Sequence, residues 1–263
     1  WSPGGDRLAC GYYLQDFEPY FFAPGGDDFH HAWQSYRLVD DIVRFTKTEW
    51  NQRELQTLVG VDSVLVGPSL DVDLFRPRPA ATAERPLRVA AMIRPESKYR
   101  SPRLTMEVLA AASAHFGGAI EIVLFGAAPG DPAFRALPAP FPYRMAGVLG
   151  PRHMARLLNE VDVFVDFSSH QAMGLTALEA MACGAAVAVP VRGGASCFAR
   201  DGHNALLVDP SSAEACRSAL ETLVADAGLR EELRTHAIGD AAACYPERPA
   251  LRILQALFRA PAA

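Results

Sequence analysis

One segment of the sequence combines residue types that can bind a phosphorylated ligand. A polar loop, residues 168–173, follows a buried apolar run and leads into Gly174-Leu175-Thr176 at the start of a helix. Loops of this kind lie at the carboxyl edge of open α/β sheets, where ligands bind. The backbone N–H groups of Gly174, Leu175 and Thr176 would point at an anion, and the helix dipole favours negative charge there. The segment therefore predicts a diphosphate site.

Two titratable residues accompany this segment. Glu179 lies about one turn inside the helix, where a carboxylate can accept two hydroxyl hydrogen bonds from a ribose-type ring. The alternative is an ordinary solvated glutamate, and spacing alone does not separate the two. His170 adjoins the predicted phosphate site, and both a ligand contact and a plain loop position remain open for it.

The remaining candidates for metal or covalent chemistry are weaker, and we expect no metal site. Asp71-Val72-Asp73 matches a D-x-D metal motif but lies in a proline-rich connection, so we interpret it as coincidence. His30 and His31 are sequence neighbours, whose side chains diverge on a helix or a strand, which favours a surface position. The five cysteines are scattered without a C-x-x-C pair, which argues against a zinc site and a disulfide framework.

The elements that position these residues follow from hydrophobic patterning. From about Arg85, short apolar runs alternate with amphipathic segments, which predicts a doubly wound α/β domain with a parallel sheet. Proline at position 151 suits the first turn of one helix. The predicted strands are Arg88 to Ile93, Ile120 to Phe125, Tyr143 to Val148, Val161 to Phe167, Ala186 to Val191 and Ala205 to Val208.

The first 80 residues predict only part of another domain. They contain three strand-like runs, which are too few for an independent sheet of this class. We predict that residues 1–78 are the C-terminal part of a second Rossmann-like domain, that 79–86 are a linker, and that 87–245 form the complete domain. Residues 246–263 are predicted as a terminal segment whose helix begins at Leu251, after prolines that separate it from the preceding helices. One possibility is that this segment crosses back to the first domain.

Composition narrows the class of protein. The chain has 263 residues with a formal net charge of −5, and no basic stripe that would bind nucleic acid. No apolar run reaches the length of about 20 residues that spans a bilayer, and no signal peptide is evident at the first residues. We expect a soluble, cytoplasmic protein, and the lack of an initial Met suggests a fragment.

These motifs, taken in order, resemble a known family. Residues 174–184 (GLTALEAMACG), the run 186–190 (AVAVP), Gly193-Gly194 and residues 204–210 (NALLVDP) resemble the C-terminal nucleotide-sugar domain of GT-B glycosyltransferases of the family 4 type. Residues 69–77 (SLDVDLFRP) resemble the linker strand of that family. More narrowly, residues 12–22 (YYLQDFEPYFF) resemble a segment of bacterial surface-polysaccharide rhamnosyltransferases. The resemblance implies a GT-B architecture.

The resemblance also implies roles for individual residues of the donor site. The family carries an E-x7-E pair whose second member matches Glu179, whereas the first falls at Gln171, a neutral amide that either faces the donor sugar or is simply a loop residue. Arg94 ends the first strand of the complete domain, and Arg100 stands where the family usually has lysine. Their guanidinium groups would stabilise the departing diphosphate without a metal. Gly147-Val148-Leu149 resembles the loop that binds the nucleobase through its backbone.

On the acceptor side, Gln15-Asp16 stands where related enzymes often carry a His-Asp pair. Asp16 or Glu18 would orient the acceptor hydroxyl, and the alternative for Asp16 is that it caps the next turn. Residues 20–22 (YFF) are expected to pack in the core, with an acceptor-facing surface as the alternative.

The function that the resemblance implies is transfer of a hexose from a nucleoside diphosphate sugar to a growing glycan. The reaction would be retaining, the narrower resemblance suggests rhamnose, and the donor would be linked to dTDP or UDP, with no other cofactor. A lipid-linked saccharide acceptor would bring the protein to the inner face of the membrane, although no basic amphipathic helix indicates this association. The rival hypothesis is a nucleotide-sugar-binding module without catalysis. A pyridoxal-dependent phosphorylase is disfavoured because Lys47 and Lys98 fall in the wrong places.

Overall fold

The computed structural model describes residues 9–78 and 85–258. These residues form two compact units. The first comprises residues 9–69 and 246–258, and the second comprises residues 70–78 and 85–245. Within these described ranges, no helix is both long and apolar enough to span a bilayer.

The first unit contains a three-stranded parallel sheet in the order β1-β2-β3. The strands are β1 Gly11–Leu14, β2 Val43–Thr46 and β3 Val64–Leu65, and the connecting helices are α1 Asp27–Ser35 and α2 Glu49–Glu54, which a π-helical turn, Leu55–Val59, continues. The Thr48 side chain caps α2 by accepting a hydrogen bond from the Asn51 N–H at 3.2 Å. The core is formed by Leu14, Phe17, Tyr36, Leu55 and Val59.

The second unit is a doubly wound α/β domain, as the hydrophobic pattern predicts. Its strands are β4 Leu87–Met92, β5 Ile120–Phe125, β6 Arg144–Gly147, β7 Val163–Val165, β8 Ala186–Pro190 and β9 Leu206–Val208. They are all parallel and lie in the order β6-β5-β4-β7-β8-β9. The helices are α3 Pro102–Phe116, α4 Pro132–Arg135, α5 Pro151–Leu158, α6 Leu175–Cys183, α7 Ala213–Ala225 and α8 Ala227–Ala242.

Alternation along the strands gives this sheet two cores. Ala90, Phe164 and Val187 face the cluster that includes α5 and α6, whereas their neighbours Val89 and Val163 face the cluster that includes α3 and α7. Both faces are therefore apolar, which explains why the strands read as nearly continuous hydrophobic runs.

The strand order places the switch point of the sheet between β4 and β7. The chain leaves β4 toward β5 on one side, and it reaches β7 and β8 on the other side, so the loops that follow β4 and β7 flank a crevice at the carboxyl edge. These two loops, residues 93–101 and 166–174, hold Arg94, Arg100, His170, Gln171 and Gly174 of the predicted site, and α6 directly follows the second loop.

The last helix, α9 Glu247–Phe258, belongs to the first unit. The Arg252 side chain on α9 donates a hydrogen bond to the Val66 carbonyl at 3.0 Å. The helix begins before the predicted Leu251, because Pro249 occupies its first turn, where a backbone N–H has no helical acceptor and a proline costs nothing.

The boundary between the units also differs from the sequence prediction. It lies before Leu70 rather than after residue 78, because Leu70 and Phe75 are buried in the core of the second unit with 3% and 5% exposure. The Leu70 N–H also donates to the Cys244 carbonyl at 2.8 Å. The segment expected to be a linker strand contains a turn, in which the Asp71 carboxylate accepts the Leu74 N–H at 3.0 Å. Most of the predicted linker, residues 79–84, lies outside the described residues.

Candidate donor site at the carboxyl edge of the sheet

The loops after β4 and β7 are joined directly. The Ser169 N–H donates to the Tyr99 carbonyl at 2.7 Å, and the Ser169 hydroxyl reaches the same oxygen at 3.2 Å. The Tyr99 and His170 rings lie 5.5 Å apart, centroid to centroid. The two loops therefore form one continuous wall at the switch point, a contact that no sequence spacing predicts.

Both predicted arginines lie on the β4 loop. Arg94 is exposed, and its guanidinium donates to the Gly126 carbonyl at 3.1 Å. The Arg100 guanidinium lies 5.6 Å from the centroid of the Tyr99 ring, within the range of a cation–π contact. The loop ends at Ser101, whose φ of 46° is left-handed and therefore strained for a residue with a side chain. The structure thus places both guanidinium groups on the β4 loop, with that of Arg94 turned toward the residue after β5 and that of Arg100 beside the Tyr99 ring.

The start of α6 is an open helix N-terminus. Gly174 precedes it with a φ of 78°, a conformation that glycine adopts readily, and no side chain caps the helix. The Gly174 carbonyl accepts the Ala177 N–H at 3.0 Å. The N–H groups of Leu175 and Thr176 have no partner among the described residues, and they remain available to an anion.

Glu179 is a partly buried carboxylate on α6. Burial raises its pKa from the ordinary value of 4.5 to about 7. Within the described part of the chain it has no hydrogen bond and no ion pair. A partly desolvated carboxylate without a protein donor can accept hydrogen bonds from a ligand that brings hydroxyl groups.

Gln171 is turned into the β7 loop. It is only 6% exposed, and its amide donates to the Asp166 carboxylate and to the Ser168 hydroxyl, the latter at 2.9 Å. The Ser168 hydroxyl in turn donates to Asp166 at 2.5 Å. In this conformation the Gln171 amide holds the loop together. Sequence reasoning missed Asp166, although a charged residue directly after a buried strand is a recognisable signal.

The loop after β8, which contains Gly193 and Gly194, packs closely against the backbone of the β7 loop. The Gly194 N–H donates to the Gln171 carbonyl at 2.6 Å. A Cβ atom on Gly194 would lie 1.8 Å from the Ala172 carbonyl oxygen, and one on Gly193 would lie 2.5 Å from the Gln171 carbonyl oxygen. Backbone therefore touches backbone here, and only glycine fits at these two positions.

The predicted base-binding loop follows β6. Gly147 ends this strand with a φ of 76°, and its carbonyl accepts the Gly126 N–H at 2.8 Å. Val148 is 66% exposed, whereas Leu149 packs against the core. Because the apolar side chains point away from each other, any contact with a ligand in this loop would come from Val148 or from the backbone.

Asp16 belongs to the first unit. Its carboxylate accepts the N–H of the next residue, Phe17, at 2.8 Å, but no side chain caps the following 3-10 turn Glu18–Phe21, whose N-cap position is Phe17. Burial lowers the pKa of the neighbouring Lys47, and the Asp16 charge opposes this shift. Residues 20–22 are 43%, 49% and 39% exposed, so the expectation that they pack in the core is wrong.

The structure describes few groups suited to metal or thiolate chemistry. Within residues 9–78 and 85–258, no group of three or more His, Cys, Asp or Glu side chains could hold a metal ion. No disulfide joins any of the five cysteines, all of which lie in the described part of the chain. Burial raises the pKa of Cys183 to about 12, so this thiol stays protonated and unreactive near neutral pH.

Comparison with known proteins finds a matching family model and solved structures with a similar fold. A model described as glycosyl transferases group 1 matches residues 91–226. A crystal structure of Anabaena Alr3699/HepE in complex with UDP and glucose aligns with a TM-score of 0.78 and 16% identity, covering 95% of this chain and 71% of the other. This likeness confirms the predicted GT-B fold class.

Two curated relatives share part of their sequence with the chain. The O-antigen biosynthesis protein RfbC of Myxococcus xanthus is 28% identical over 86% of this chain, and the lipopolysaccharide core biosynthesis glycosyltransferase LpsE of Rhizobium meliloti is 45% identical over 29% of it. The alignments span only 17% and 22% of the length of these relatives.

Proposed function

The matched family model spans more than half of the chain, so the protein belongs to the glycosyl transferases group 1 family, and from this premise we propose that it transfers a hexose from a nucleoside diphosphate sugar to a glycan acceptor. The second unit would bind the donor. The reaction would serve the synthesis of a surface polysaccharide, which the names of the Myxococcus and Rhizobium relatives support.

The observation that carries the proposal is the partly buried Glu179 carboxylate, which has no protein donor, on the helix whose N-terminus is open. The helix offers N–H groups from Leu175 and Thr176 to a diphosphate, and Glu179 lies one turn further on, where it accepts the ribose hydroxyls. A nucleoside diphosphate carries both a diphosphate and ribose hydroxyl groups.

Arg94 and Arg100 supply the positive charge that the reaction needs. As the sugar leaves, negative charge builds on the diphosphate, and guanidinium groups fixed in advance stabilise it. The proposed reaction is therefore independent of metal, and it retains the configuration of the sugar. His170, which lies between the arginines' loop and the helix, would contact the sugar or a phosphate oxygen.

The finer assignments follow from the resemblances described above. The backbone of residues 147–149 would bind the base of a UDP or dTDP donor, and the UDP in the HepE complex supports the former. Rhamnose is the sugar that residues 12–22 suggest, with Asp16 orienting the acceptor hydroxyl. The protein would be cytoplasmic and would meet a lipid-linked acceptor at the inner face of the membrane.

The proposal is tested by calorimetric titration of the chain with UDP, dTDP, GDP and ADP, followed by transfer assays with the matching sugar nucleotides. We expect one diphosphate to bind selectively. Glu179→Ala and Arg94→Ala should each weaken the affinity for this diphosphate by tenfold or more, because each removes a charged hydrogen-bonding partner. A tenfold loss corresponds to about 1.4 kcal/mol of binding free energy.

Two exposed residues of the same domain provide matched controls. Glu107→Ala on α3 and Arg156→Ala in the last turn of α5 remove the same groups away from the crevice, and they should leave the affinity unchanged. Equal weakening by Glu107→Ala and Glu179→Ala would contradict the proposed ribose contact, and failure of all four diphosphates to bind would contradict the function.

A second candidate is a nucleotide-sugar-binding module that does not catalyse transfer. The neutral Gln171, buried within its own loop, favours it, because no carboxylate at that position then faces the donor sugar. A single-turnover experiment separates the two: an enzyme consumes the bound sugar nucleotide when saccharide acceptor or water is present, whereas a binding module leaves it intact.

A further inference from the structure

The carboxylate of Asp166 is the centre of a closed set of hydrogen bonds in the β7 loop. It accepts from the Ser168 N–H at 3.0 Å, from the Ser168 hydroxyl at 2.5 Å and from the Gln171 amide. The Gln171 amide also donates to the Ser168 hydroxyl at 2.9 Å. Every hydrogen bond in this set joins a donor to an acceptor, because the Ser168 hydroxyl donates to Asp166 and accepts from the Gln171 amide.

This set is anchored on a rigid element. Asp166 directly follows β7, and its own N–H still donates to the Ala188 carbonyl of β8 at 2.9 Å. Its backbone therefore remains part of the sheet while its side chain holds the loop. A group fixed in this way can orient the residues after it without touching a ligand.

The other end of the set leads to the proposed phosphate site. Gln171 lies three residues before Gly174, and its carbonyl accepts the Gly194 N–H at 2.6 Å. Because Gly193 and Gly194 contact this backbone without room for a Cβ, a shift of Gln171 displaces the Gly193-Gly194 loop as well. The position of the Leu175 and Thr176 N–H groups thus depends on where Gln171 is held.

Asp166 also explains the residue type at position 171. The family resemblance places a glutamate there, but a glutamate in this conformation would put its carboxylate against that of Asp166. Two carboxylates at hydrogen-bonding distance repel each other, so both cannot stay ionised in this arrangement. An amide has the N–H donor that the Asp166 carboxylate requires.

We propose that Asp166 is a positioning residue of the donor site: its carboxylate, paired with the Gln171 amide, holds the β7 loop so that the N-terminus of α6 faces the donor diphosphate. This inference rests on the proposed function. It assigns to Gln171 the role of partner to Asp166, in place of the sugar contact that a glutamate would make.

The test compares the wild type with Asp166→Asn, Gln171→Glu and the double variant that combines them. The double variant reverses the pair, so that an amide at position 166 donates to a carboxylate at position 171. We expect each single variant to bind the preferred nucleoside diphosphate at least tenfold more weakly, and the double variant to recover an affinity within about threefold of the wild type.

Asp162→Asn is the matched control. Asp162 directly precedes β7, at the opposite end of the strand from Asp166. Its carboxylate accepts hydrogen bonds from the Arg85 side chain at 2.6 Å and from the Arg88 N–H at 2.7 Å. Its loss should lower the melting temperature and leave the diphosphate affinity unchanged. All titrations are made at a temperature where circular dichroism shows every variant folded, so that affinity and stability are read separately.

The outcomes separate the two proposals. If the wild type binds no nucleoside diphosphate, the proposed function fails, and the positioning role fails with it. If the wild type binds and Asp166→Asn binds equally well, only the positioning role is overturned. A double variant that is no better than the weaker single variant also overturns it, because the pair then has no specific coupling.

Discussion

Burial of the Glu179 carboxylate makes the stability of the protein depend on pH. Its pKa is about 7 in the folded chain and near 4.5 when the chain is unfolded, so the folded state holds the proton more tightly. The stability that this group contributes is fully present below pH 4.5 and is lost as the pH rises through 7. The charged form at pH 8 therefore carries a desolvation cost of as much as about 3 kcal/mol.

Glu179→Gln removes this dependence. We expect the variant to be more stable than the wild type at pH 8, with a gain that shrinks toward zero near pH 4, because an amide has no charge to desolvate. Urea unfolding at a series of pH values measures the difference, and Glu107→Gln, on an exposed face of α3, should show none. A Glu179→Gln effect that is constant with pH would contradict the raised pKa.

The residues at the site differ in how far the sequence could predict them. The edge that Arg94, Glu179 and the start of α6 occupy follows from strand ends and helix starts in the pattern of apolar runs, whereas Arg100 is indicated by the family resemblance. The engagement of Gln171 by Asp166 does not follow, because it depends on the path of a loop. That path is set by contacts with residues of two other loops, Tyr99 and Gly194.

At the scale of elements, the prediction was accurate where a segment is apolar and less so where it is amphipathic. The bounds of β5 match the prediction, because a run of Ile, Val, Leu and Phe is bounded by turn residues on both sides. The linker strand expected near residue 70 was wrong: its apolar residues, Leu70 and Phe75, pack into the neighbouring core instead of pairing in a sheet.

The contact between the β7 and β8 loops should be intolerant of any side chain at residue 194. In Gly194→Ala the new Cβ would meet the Ala172 carbonyl oxygen at 1.8 Å and the Met173 Cα at 2.8 Å, and both of these atoms belong to backbone. We expect a loss of about 3 kcal/mol in the free energy of unfolding and of measurable diphosphate binding, because the β7 loop must move.

Gly118→Ala provides the comparison for this variant. A Cβ there meets nothing within 4 Å, and the residue is exposed. Its unfolding free energy and its diphosphate affinity should stay close to those of the wild type. If chemical denaturation gave both variants the same stability, the close packing of the two loops would not exist in solution.

At the scale of the whole molecule, the second unit has what an independent domain requires. Its six-stranded sheet has an apolar cluster on each face, and both clusters consist of residues from this unit alone. The donor-site residues from Arg94 to Gly194 all belong to it. The unit therefore carries its own core and its own site.

The position of its first residue decides whether the second unit folds alone. A fragment of residues 70–245 should unfold cooperatively and bind the preferred diphosphate with the affinity of the whole chain. A fragment of 87–245, which begins at the boundary predicted from the sequence, lacks Leu70 and Phe75 and leaves two cavities in the core. Each loss costs about 2–5 kcal/mol, so this fragment should melt about 10 °C or more below the longer one. Calorimetry of both fragments measures the difference, and equal melting temperatures would show that residues 70–78 contribute nothing to this core.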